Sequence, residues 1–122
     1  MRVPIVARII PLACLGLFLV IFGGQMLLYH HAEAHVSLGM ADYNQGAYAG
    51  AETQMRHALD LNPDNAYASY YLGLCLLRDG DKAEGIRRLQ TAKVIAQGNR
   101  LMERNQPLAD EASAALNRFG NP

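Results

Sequence analysis

The chain repeats one pattern of residues at an offset of 34 positions, so that residues 32–65 are followed by a second copy in residues 66–99. The aligned pairs are Leu38-Gly39 with Leu72-Gly73, Gly46 with Gly80, Met55 with Leu89, Ala58 with Ala92 and Leu61 with Ile95. A fixed period of about 20 to 50 residues is typical of proteins built from supersecondary units that stack on one another. The sequence therefore predicts a stacked repeat fold.

Glycines indicate how each copy folds. Gly39 and Gly73 lie within helical patterns, where glycine costs ~1 kcal/mol relative to alanine, and this cost indicates close helix packing. Gly46 and Gly80 follow the first helix of each copy, where a residue in the left-handed conformation commonly ends a helix. Each copy is therefore predicted to be a pair of helices joined at a glycine.

Polar residues indicate where the helices begin. Pro63 ends the helix before it, and Asp64 or Asn65 can cap the helix that follows, because their side chains accept hydrogen bonds from free backbone amides. Asp81, with Glu84 three residues later, has the spacing of a capping box. These residues predict helices near 48–61, 66–79 and 82–97.

The repeat resembles the tetratricopeptide repeat family, whose period is about 34 residues. The first copy carries the pattern of that family as Leu38, Gly39, Gly46, Ala51, Met55, Ala58 and Pro63. It departs from the pattern at His35, Ser69 and Asp42, where aromatic residues are usual, and at Gly85 and Gln97. The resemblance implies two helical hairpins, 32–65 and 66–99, that bind another protein without catalysis.

In this family the first helix of each repeat lines a groove that holds the partner. Carried over to this sequence, the groove residues would be Glu33, Val36, Met40, Tyr43, Asn44, Tyr67, Tyr70, Leu74, Leu77 and Arg78. The alternative is that several of these residues pack on the C-terminal helix or on the membrane helix. The Lys and Asn groups that clamp a peptide carboxylate in some relatives are absent, because Val36 and Met40 hold the matching places.

A membrane segment precedes the repeats. Between residues 9 and 28 only Gln25 is strongly polar, and about 20 apolar residues in a helix span a hydrocarbon core of ~30 Å. An uncleaved signal anchor over residues 1–30 fits best. A cleaved signal peptide ending at residues 32–34 and a lipoprotein signal ending at Cys14 are the alternatives, but the apolar run is too long for the first and continues past the cysteine in the second.

Charge predicts the orientation of this segment. Arg2 and Arg8 precede the span, and the next basic residue is Arg56. Because basic residues stay on the cytoplasmic side, the N-terminus is expected in the cytoplasm and the repeats in the periplasm of a bacterium, anchored in the inner membrane.

Small residues also line one face of the membrane segment. They are Ala13, Gly16, Val20, Gly23 and Gly24. Such residues let a second helix approach closely enough for van der Waals packing. They predict a membrane helix that packs against another helix, although glycine is common in membrane helices generally.

After a loop over residues 98–105, a last helix is expected over residues 106–119. Leu108, Ala112, Ala115, Leu116 and Phe119 share one face of it. This helix would cover the open end of the repeat stack, within the segment 100–122. The fold class is thus all-α, with an N-terminal transmembrane helix, two hairpins and a C-terminal capping helix. Leu72, Leu89 and Leu116 are predicted to be buried.

Two points stay open in the sequence. No proline lies between Gln25 and Gln45, so the membrane helix either continues into the first repeat helix or breaks near residues 30–32. His30, His31 and His35 cluster outside the membrane, and the i, i+4 pair His31 and His35 could begin a metal site, but no third ligand is identifiable. A polar collar at the interface is the simpler interpretation, with no metal expected.

The remaining chemistry points to protein binding. No haem-attachment, phosphate-loop, zinc-protease or triad motif is found, so no cofactor, small-molecule substrate or catalytic residue is expected. Without Arg2 and Arg8, nine basic residues stand against eleven acidic ones, which gives no general attraction for nucleic acid.

The favoured function is an accessory or assembly subunit of an integral membrane complex. The alternatives are a periplasmic chaperone or adaptor for secretion, pilus assembly or cytochrome maturation, and a metal-handling protein that uses the three histidines.

Overall fold

The computed structural model describes residues 6–98 and 106–120, with side chains described from residue 13 onward. The helices in these ranges are α1 (Val6–Asn44), α2 (Tyr48–Leu61), α3 (Ala66–Asp79), α4 (Lys82–Gly98) and α5 (Gln106–Gly120). The five described elements are therefore all helices, as predicted, and α2, α3 and α4 begin and end within one residue of the helices predicted near 48–61, 66–79 and 82–97. Arg2, the side chain of Arg8 and the predicted loop after Gly98 lie outside the described residues.

The predicted membrane helix and the first repeat helix form one continuous helix, α1. Its 39 residues extend for about 58 Å at the α-helical rise. Within the described ranges, it is the helix that is long and apolar enough to cross a membrane, by length and composition, and the apolar window in it is not buried. The structure thus resolves the choice that the sequence left open between a continuous helix and a break.

Both hairpin turns contain a glycine in the left-handed conformation. Gly46 follows α1 with a φ of +81°, and Gly80 follows α3 with a φ of +91°. After Gly80, the backbone amide of Asp81 donates to the carbonyl oxygen of Leu76 at 2.9 Å, which satisfies a carbonyl at the end of α3. These are the turns predicted from the sequence, and they direct α2 and α4 back along α1 and α3.

Asn65 begins α3 and also connects it to α1. Its Oδ1 accepts a hydrogen bond from the backbone amide of Ala68 at 2.9 Å, as a cap does. Its Nδ2 donates to Oε1 of Glu33 at 2.8 Å. One buried side chain therefore fixes the start of the second repeat against the first helix.

Only half of the predicted capping box forms at α4. The amide of Glu84 donates to Oδ1 of Asp81 at 3.2 Å, as predicted. The carboxylate of Glu84 instead accepts from Arg88 at 2.8 Å and from Arg87. Burial acts to raise the pKa of Glu84, but the hydrogen bonds from Arg88 and Arg87 outweigh it and lower the pKa.

Two clusters of buried side chains hold the helices together. The first comprises Val36, Met55, Ala58, Ala68, Leu72 and Leu76, and the second comprises Ala66, Ala96, Leu108 and Ala109. Leu72 and Leu89 are fully buried, which confirms two of the three burial predictions. The prediction for Leu116 was wrong, because the buried face of α5 is centred on other residues and Leu116 lies half-exposed at its edge.

Glycine permits the close approach of paired helices. A Cβ at Gly39 would lie 2.7 Å from Cε of Met55, and a Cβ at Gly73 would lie 3.0 Å from the carbonyl oxygen of Gly85 and 3.0 Å from Cγ of Leu89. Gly73 and Gly85 therefore bring the backbones of α3 and α4 into contact. This contact explains why the second repeat carries glycine at position 85, where the family pattern has alanine.

The helices form two layers. One layer contains the C-terminal part of α1, followed by α3 and then α5. We call it the inner layer. Helix α2 packs between α1 and α3 from the other side, and α4 packs between α3 and α5. Helix α5 thus occupies the place that the first helix of a third repeat would take, and it covers the end of the stack.

Gly73→Ala is expected to destabilise the domain by about 1 to 3 kcal/mol, because the new methyl would contact backbone that cannot move without separating α3 from α4. Gly98→Ala is the matched control, since no atom of the described residues lies within 4 Å of a Cβ there apart from the adjoining backbone. Chemical denaturation of both variants measures the difference. Equal stability of the two variants would contradict the close packing described here.

Candidate partner-binding surface

Four tyrosines are in contact across three helices, and we call them the tyrosine row. The ring centroids are 5.2 Å apart for Tyr48 and Tyr43, 5.2 Å for Tyr43 and Tyr71, and 5.3 Å for Tyr71 and Tyr70. Each pair meets edge to face, the arrangement that aromatic rings favour electrostatically. All four side chains are half-buried, so the row combines a fixed geometry with surface that a partner can reach.

Helical periodicity places these side chains together. Tyr67, Tyr71, Leu74 and Arg78 follow one another at intervals of three or four residues, which puts them near one face of α3. Tyr70 lies three residues after Tyr67 and borders the same face. Tyr43 lies in the last turn of α1 and Tyr48 is the first residue of α2, so the turn at Gly46 brings the two rings together. The row therefore depends on both the helix period and the hairpin turn.

Opposite charges lie at the two ends of the row. The guanidinium carbon of Arg78 is 3.9 Å from the ring centroid of Tyr48, a cation–π contact. At the other end, the carboxylate of Glu111 on α5 is close enough to Tyr70 and Tyr71 for its charge to raise the pKa of both tyrosines. A partner would meet an aromatic surface with a cation at one end and an anion at the other.

Burial changes the acidity of the row. It raises the pKa of Tyr70 to about 12, and the nearby carboxylate of Glu111 adds to the shift. Burial is also the main cause of the raised pKa of Tyr43 and of Tyr71. The hydroxyl groups of Tyr43, Tyr70 and Tyr71 are therefore neutral at physiological pH and can act as both donors and acceptors.

Not all of the predicted groove residues lie on this surface. Val36 is only 4% exposed and belongs to the first core cluster, so it offers little surface to a partner. Leu77 packs against α4, because its Cγ occupies the space beside Gly85. Both corrections have one cause: these positions face the neighbouring helices rather than the open side of the inner layer.

The other predicted groove residues keep some exposed surface. Met40 and Leu74 are half-buried, and Met40 packs at the edge of the first core cluster. Tyr67 and Tyr70 pack against the second cluster, which includes Leu108 of α5. The alternative that some groove residues contact the C-terminal helix is therefore correct for these two tyrosines.

Sequence reasoning missed Tyr71 and Tyr48. Tyr71 contacts both Tyr43 and Tyr70 and is the centre of the row. Its spacing of four residues from Tyr67 could have identified it as part of the same helix face. No comparable signal identifies Tyr48, because its place beside Tyr43 depends on the path of the chain through the turn.

The small residues of the predicted membrane segment are all exposed on α1, as are the large apolar residues described there. Among the described residues, and apart from the neighbouring backbone of α1 itself, nothing lies within 4 Å of a Cβ built at Gly16, Gly23 or Gly24. The apolar part of α1 thus has no other helix of its own chain beside it among the described residues.

The histidines make no metal cluster in the described ranges. Nδ1 of His35 donates to Oε1 of Gln54 at 2.7 Å, and its ring centroid is 5.5 Å from that of His57 on α2. His30 and His31 are exposed. Across residues 13–98 and 106–120, no three or more His, Cys, Asp or Glu side chains are grouped so that they could hold a metal ion.

Two glycine-turn hairpins with one covering helix define a helical-hairpin repeat protein. The family model described as tetratricopeptide repeat matches residues 36–100, more than half of the 122 residues. The chain therefore belongs to the tetratricopeptide repeat family.

A curated relative and a solved structure agree with this assignment. Tetratricopeptide repeat protein 37 of Xenopus laevis is 44% identical over 45 residues, which are 37% of this chain and only 3% of that protein's length. The crystal structure of PcrH in complex with the chaperone binding region of PopD superposes with a TM-score of 0.65, covering 98% of this chain and 96% of that one. At 18% identity, this likeness is one of fold alone.

The raised pKa of Tyr70 predicts a loss of stability at high pH. The folded state holds the proton of Tyr70 up to about pH 12, whereas an unfolded tyrosine releases it near the ordinary pKa of 10. The contribution of the protonated Tyr70 hydroxyl to the free energy of unfolding is therefore complete below pH 10 and is lost as the pH rises towards 12. Denaturant unfolding at pH 9 and pH 11 should show a smaller loss for Tyr70→Phe than for the wild type. An identical loss in both proteins would contradict the burial of this hydroxyl.

Proposed function

We propose that this protein is a non-catalytic interaction module, anchored by α1 in the inner membrane of a bacterium, that acts as an accessory or assembly subunit of a membrane complex. The observation that carries this proposal is the tyrosine row on the inner layer of a tetratricopeptide repeat fold. Tetratricopeptide proteins bind protein partners, which supports the class of function. The membrane complex and the periplasmic side are parts of the proposal.

The chemistry of the row suits a polypeptide partner. Tyrosine offers a large rigid apolar surface and a hydroxyl that can bond backbone groups, and it is enriched among residues that dominate binding energy. Arg78 and Glu111, at the two ends, can pair with charges of opposite sign. An extended or helical segment with apolar side chains would therefore bind along the row.

The size of the domain favours a lasting partner. Two repeats are fewer than the ~3 that a stable stack usually needs. Helix α5 covers one end by packing on α4, and its Leu108, Ala109, Ala112 and Ala115 are buried. A bound protein would bury further apolar surface and add to the stability of the folded state.

The shape of α1 supports a partner close to the bilayer. A shallow depression is lined by Gln25, Leu28 and Tyr29 of α1 and by Leu61 and Asn62 at the end of α2. The repeat domain thus begins directly beside the last apolar turns of α1. If α1 crosses the membrane, the domain is held at the surface in a fixed orientation by a continuous helix.

A periplasmic chaperone or adaptor that binds transient clients is the second candidate. The likeness to PcrH, which was crystallised with the chaperone binding region of another protein, favours it. A stoichiometric partner that survives purification in mild detergent would support the subunit. The histidine-based metal function has no supporting cluster among the described residues.

Membrane topology can be tested with a fused reporter. Alkaline phosphatase placed after Pro122 should be active, because the domain is expected in the periplasm, while a reporter that needs the cytoplasm should be inactive at the same position. Intact mass of the mature protein should include residues 1–28. Activity of the cytoplasmic reporter, or loss of those residues, would contradict the proposed anchor.

The binding surface can be tested by truncating its apolar side chains. Tyr70→Ala and Leu74→Ala should each weaken partner binding by ~2 kcal/mol, about 30-fold in affinity, because contacts in desolvated aromatic pockets dominate binding. The affinity of the purified partner is measured by calorimetry, after melting curves show that each variant is folded.

Val94→Ala is the matched control for Leu74→Ala. Val94 is an apolar side chain on α4 that is 68% exposed and lies outside the inner layer. Its truncation should leave affinity unchanged. Because Tyr70 also packs against α5, Leu74→Ala is the decisive variant if Tyr70→Ala loses stability. Wild-type affinity in a folded Leu74→Ala variant would place the partner elsewhere.

A further inference from the structure

The depression between α1 and the end of α2 contains Gln25, the one strongly polar residue of the apolar segment 9–28. The rest of its lining consists of Leu28, Tyr29, Leu61 and Asn62. Its volume of about 320 Å³ is at the lower end of the ~300 to 1,000 Å³ that is usual for small-molecule sites. The depression therefore suits a small polar group rather than a segment of another protein. We call it the α1–α2 depression.

The length of the apolar segment fixes the depth of this depression in a membrane. At 1.5 Å per residue, residues 9–28 extend for ~30 Å, which is the thickness of a hydrocarbon core. If α1 crosses the membrane, Leu28 lies at the boundary of the hydrocarbon nearest the repeats, and Gln25 lies about 4.5 Å inside it. Tyr29 follows at the level where tyrosine is enriched in membrane proteins. The depression is then at the depth of the phosphate and ester groups of the lipids.

Helix α2 brings the repeat domain down to the same depth. His35 on α1 contacts Gln54 and His57 on α2, whereas Leu28 shares the depression with Leu61. Residue numbers therefore fall along α1 as they rise along α2, and the two helices descend together towards the apolar segment. The end of α2 consequently meets lipid headgroups at this depth.

Three side chains of the depression can donate hydrogen bonds. Oδ1 of Asn62 accepts from the backbone amide of Asp64 at 3.2 Å, which leaves the Nδ2 group of Asn62 as a donor. The amide of Gln25 and the hydroxyl of Tyr29 are donors as well. A polar group in apolar surroundings is costly unless it is hydrogen-bonded, and phosphate and ester oxygens are the acceptors that lipids offer at this depth. The donors therefore favour a phospholipid as the occupant.

The charges beside the depression select the kind of headgroup. Asp60 and Asp64 flank the two lining residues of α2 in the sequence, and both are exposed. The nearest Lys or Arg on α2 is Arg56, which pairs with Glu52 at 2.7 Å, and α1 has no Lys or Arg after Arg8. Two carboxylates without a free cation beside them repel an anionic headgroup and can accept charge-assisted hydrogen bonds from an ammonium group.

We propose that the α1–α2 depression binds the headgroup of a zwitterionic phospholipid that carries a primary ammonium group. Gln25, Tyr29 and Asn62 donate to its phosphate and ester oxygens, and Asp60 and Asp64 accept from its ammonium group. The leucines of the depression contact the first carbons of its acyl chains. The site rests on the membrane crossing of α1 that is part of the proposed function, and it would hold the base of the repeat domain against the bilayer.

Native mass spectrometry of the full chain tests the site. The chain is reconstituted in bilayers with equal amounts of phosphatidylethanolamine and phosphatidylglycerol, and the lipids that stay bound after release from the bilayer are counted. The wild type should retain phosphatidylethanolamine about fivefold more often than phosphatidylglycerol, because the carboxylates favour the ammonium group. Equal retention of the two lipids, or more phosphatidylglycerol, would overturn the proposal.

Gln25→Leu is the decisive variant, because Gln25 lies in the apolar segment and its replacement leaves the packing of the repeats unchanged. It should lower the retention of phosphatidylethanolamine about fivefold, the effect of one lost hydrogen bond. Asn62→Ala should act in the same direction, but Asn62 also ends α2, so a melting curve accompanies it. Gln97→Leu is the matched control, since it removes an exposed amide from the last turn of α4, at the same end of the domain. Wild-type retention in Gln25→Leu would overturn the site.

A charge variant tests the choice of headgroup. Asp60→Asn with Asp64→Asn should bring the retention of the two lipids close to equal, because the groups that favour the ammonium are neutralised. Asp79→Asn with Asp81→Asn is the matched control, since these exposed carboxylates flank the Gly80 turn at the opposite end of the domain. An unchanged preference in the first pair would overturn the ammonium lipid as the occupant.

Failure of the site can be told apart from failure of the anchor. If the chain resists carbonate extraction from membranes but retains no phosphatidylethanolamine, the lipid site is rejected and the proposed anchor stands. Release of the wild-type chain by carbonate would reject the membrane crossing of α1, and the lipid site with it.

Discussion

The close approach of paired helices at three glycines is the constraint on which the rest of this structure depends. A Cβ at Gly39 would meet the end of the Met55 side chain, and a Cβ at Gly73 or Gly85 would lie 3.0 Å from a carbonyl oxygen of the facing helix. Because the backbones of α3 and α4 meet at Gly73 and Gly85, these two helices keep a short, fixed separation. That separation places α2 and α4 in one layer and leaves α1, α3 and α5 as the inner layer.

The tyrosine row follows from this geometry. Its members come from three helices, and each ring contacts the next at about the same centroid distance of 5.2 to 5.3 Å. The contacts limit the side-chain freedom that a partner would otherwise have to remove on binding. Such a preorganised aromatic surface is consistent with the proposed interaction module, and its half-buried hydroxyl groups remain available for hydrogen bonds.

The continuous α1 joins the N-terminal apolar segment rigidly to the repeat domain. One face of the helix is buried by α2 and α3, and the opposite face is exposed both in the apolar segment and beside the domain. A short flexible linker would have separated the two regions, whereas an unbroken helix transmits the orientation of one to the other. The same continuity makes the proposed anchor and the binding surface parts of one rigid arrangement.

The sequence by itself determined the helices, the turns and the repeat. The 34-residue period can be seen by aligning the sequence with itself. The glycines at 46 and 80 and the cap at Asn65 are local signals, and local backbone preferences act in the same way whatever packs around them. The sequence also identified Tyr43 and Tyr70 as members of the candidate surface. Only the tertiary structure decided that Val36 is core, that Leu77 contacts α4 and that Tyr71 and Tyr48 complete the row. Helical spacing fixes the direction of a side chain, but which neighbour lies in that direction depends on how distant segments pack.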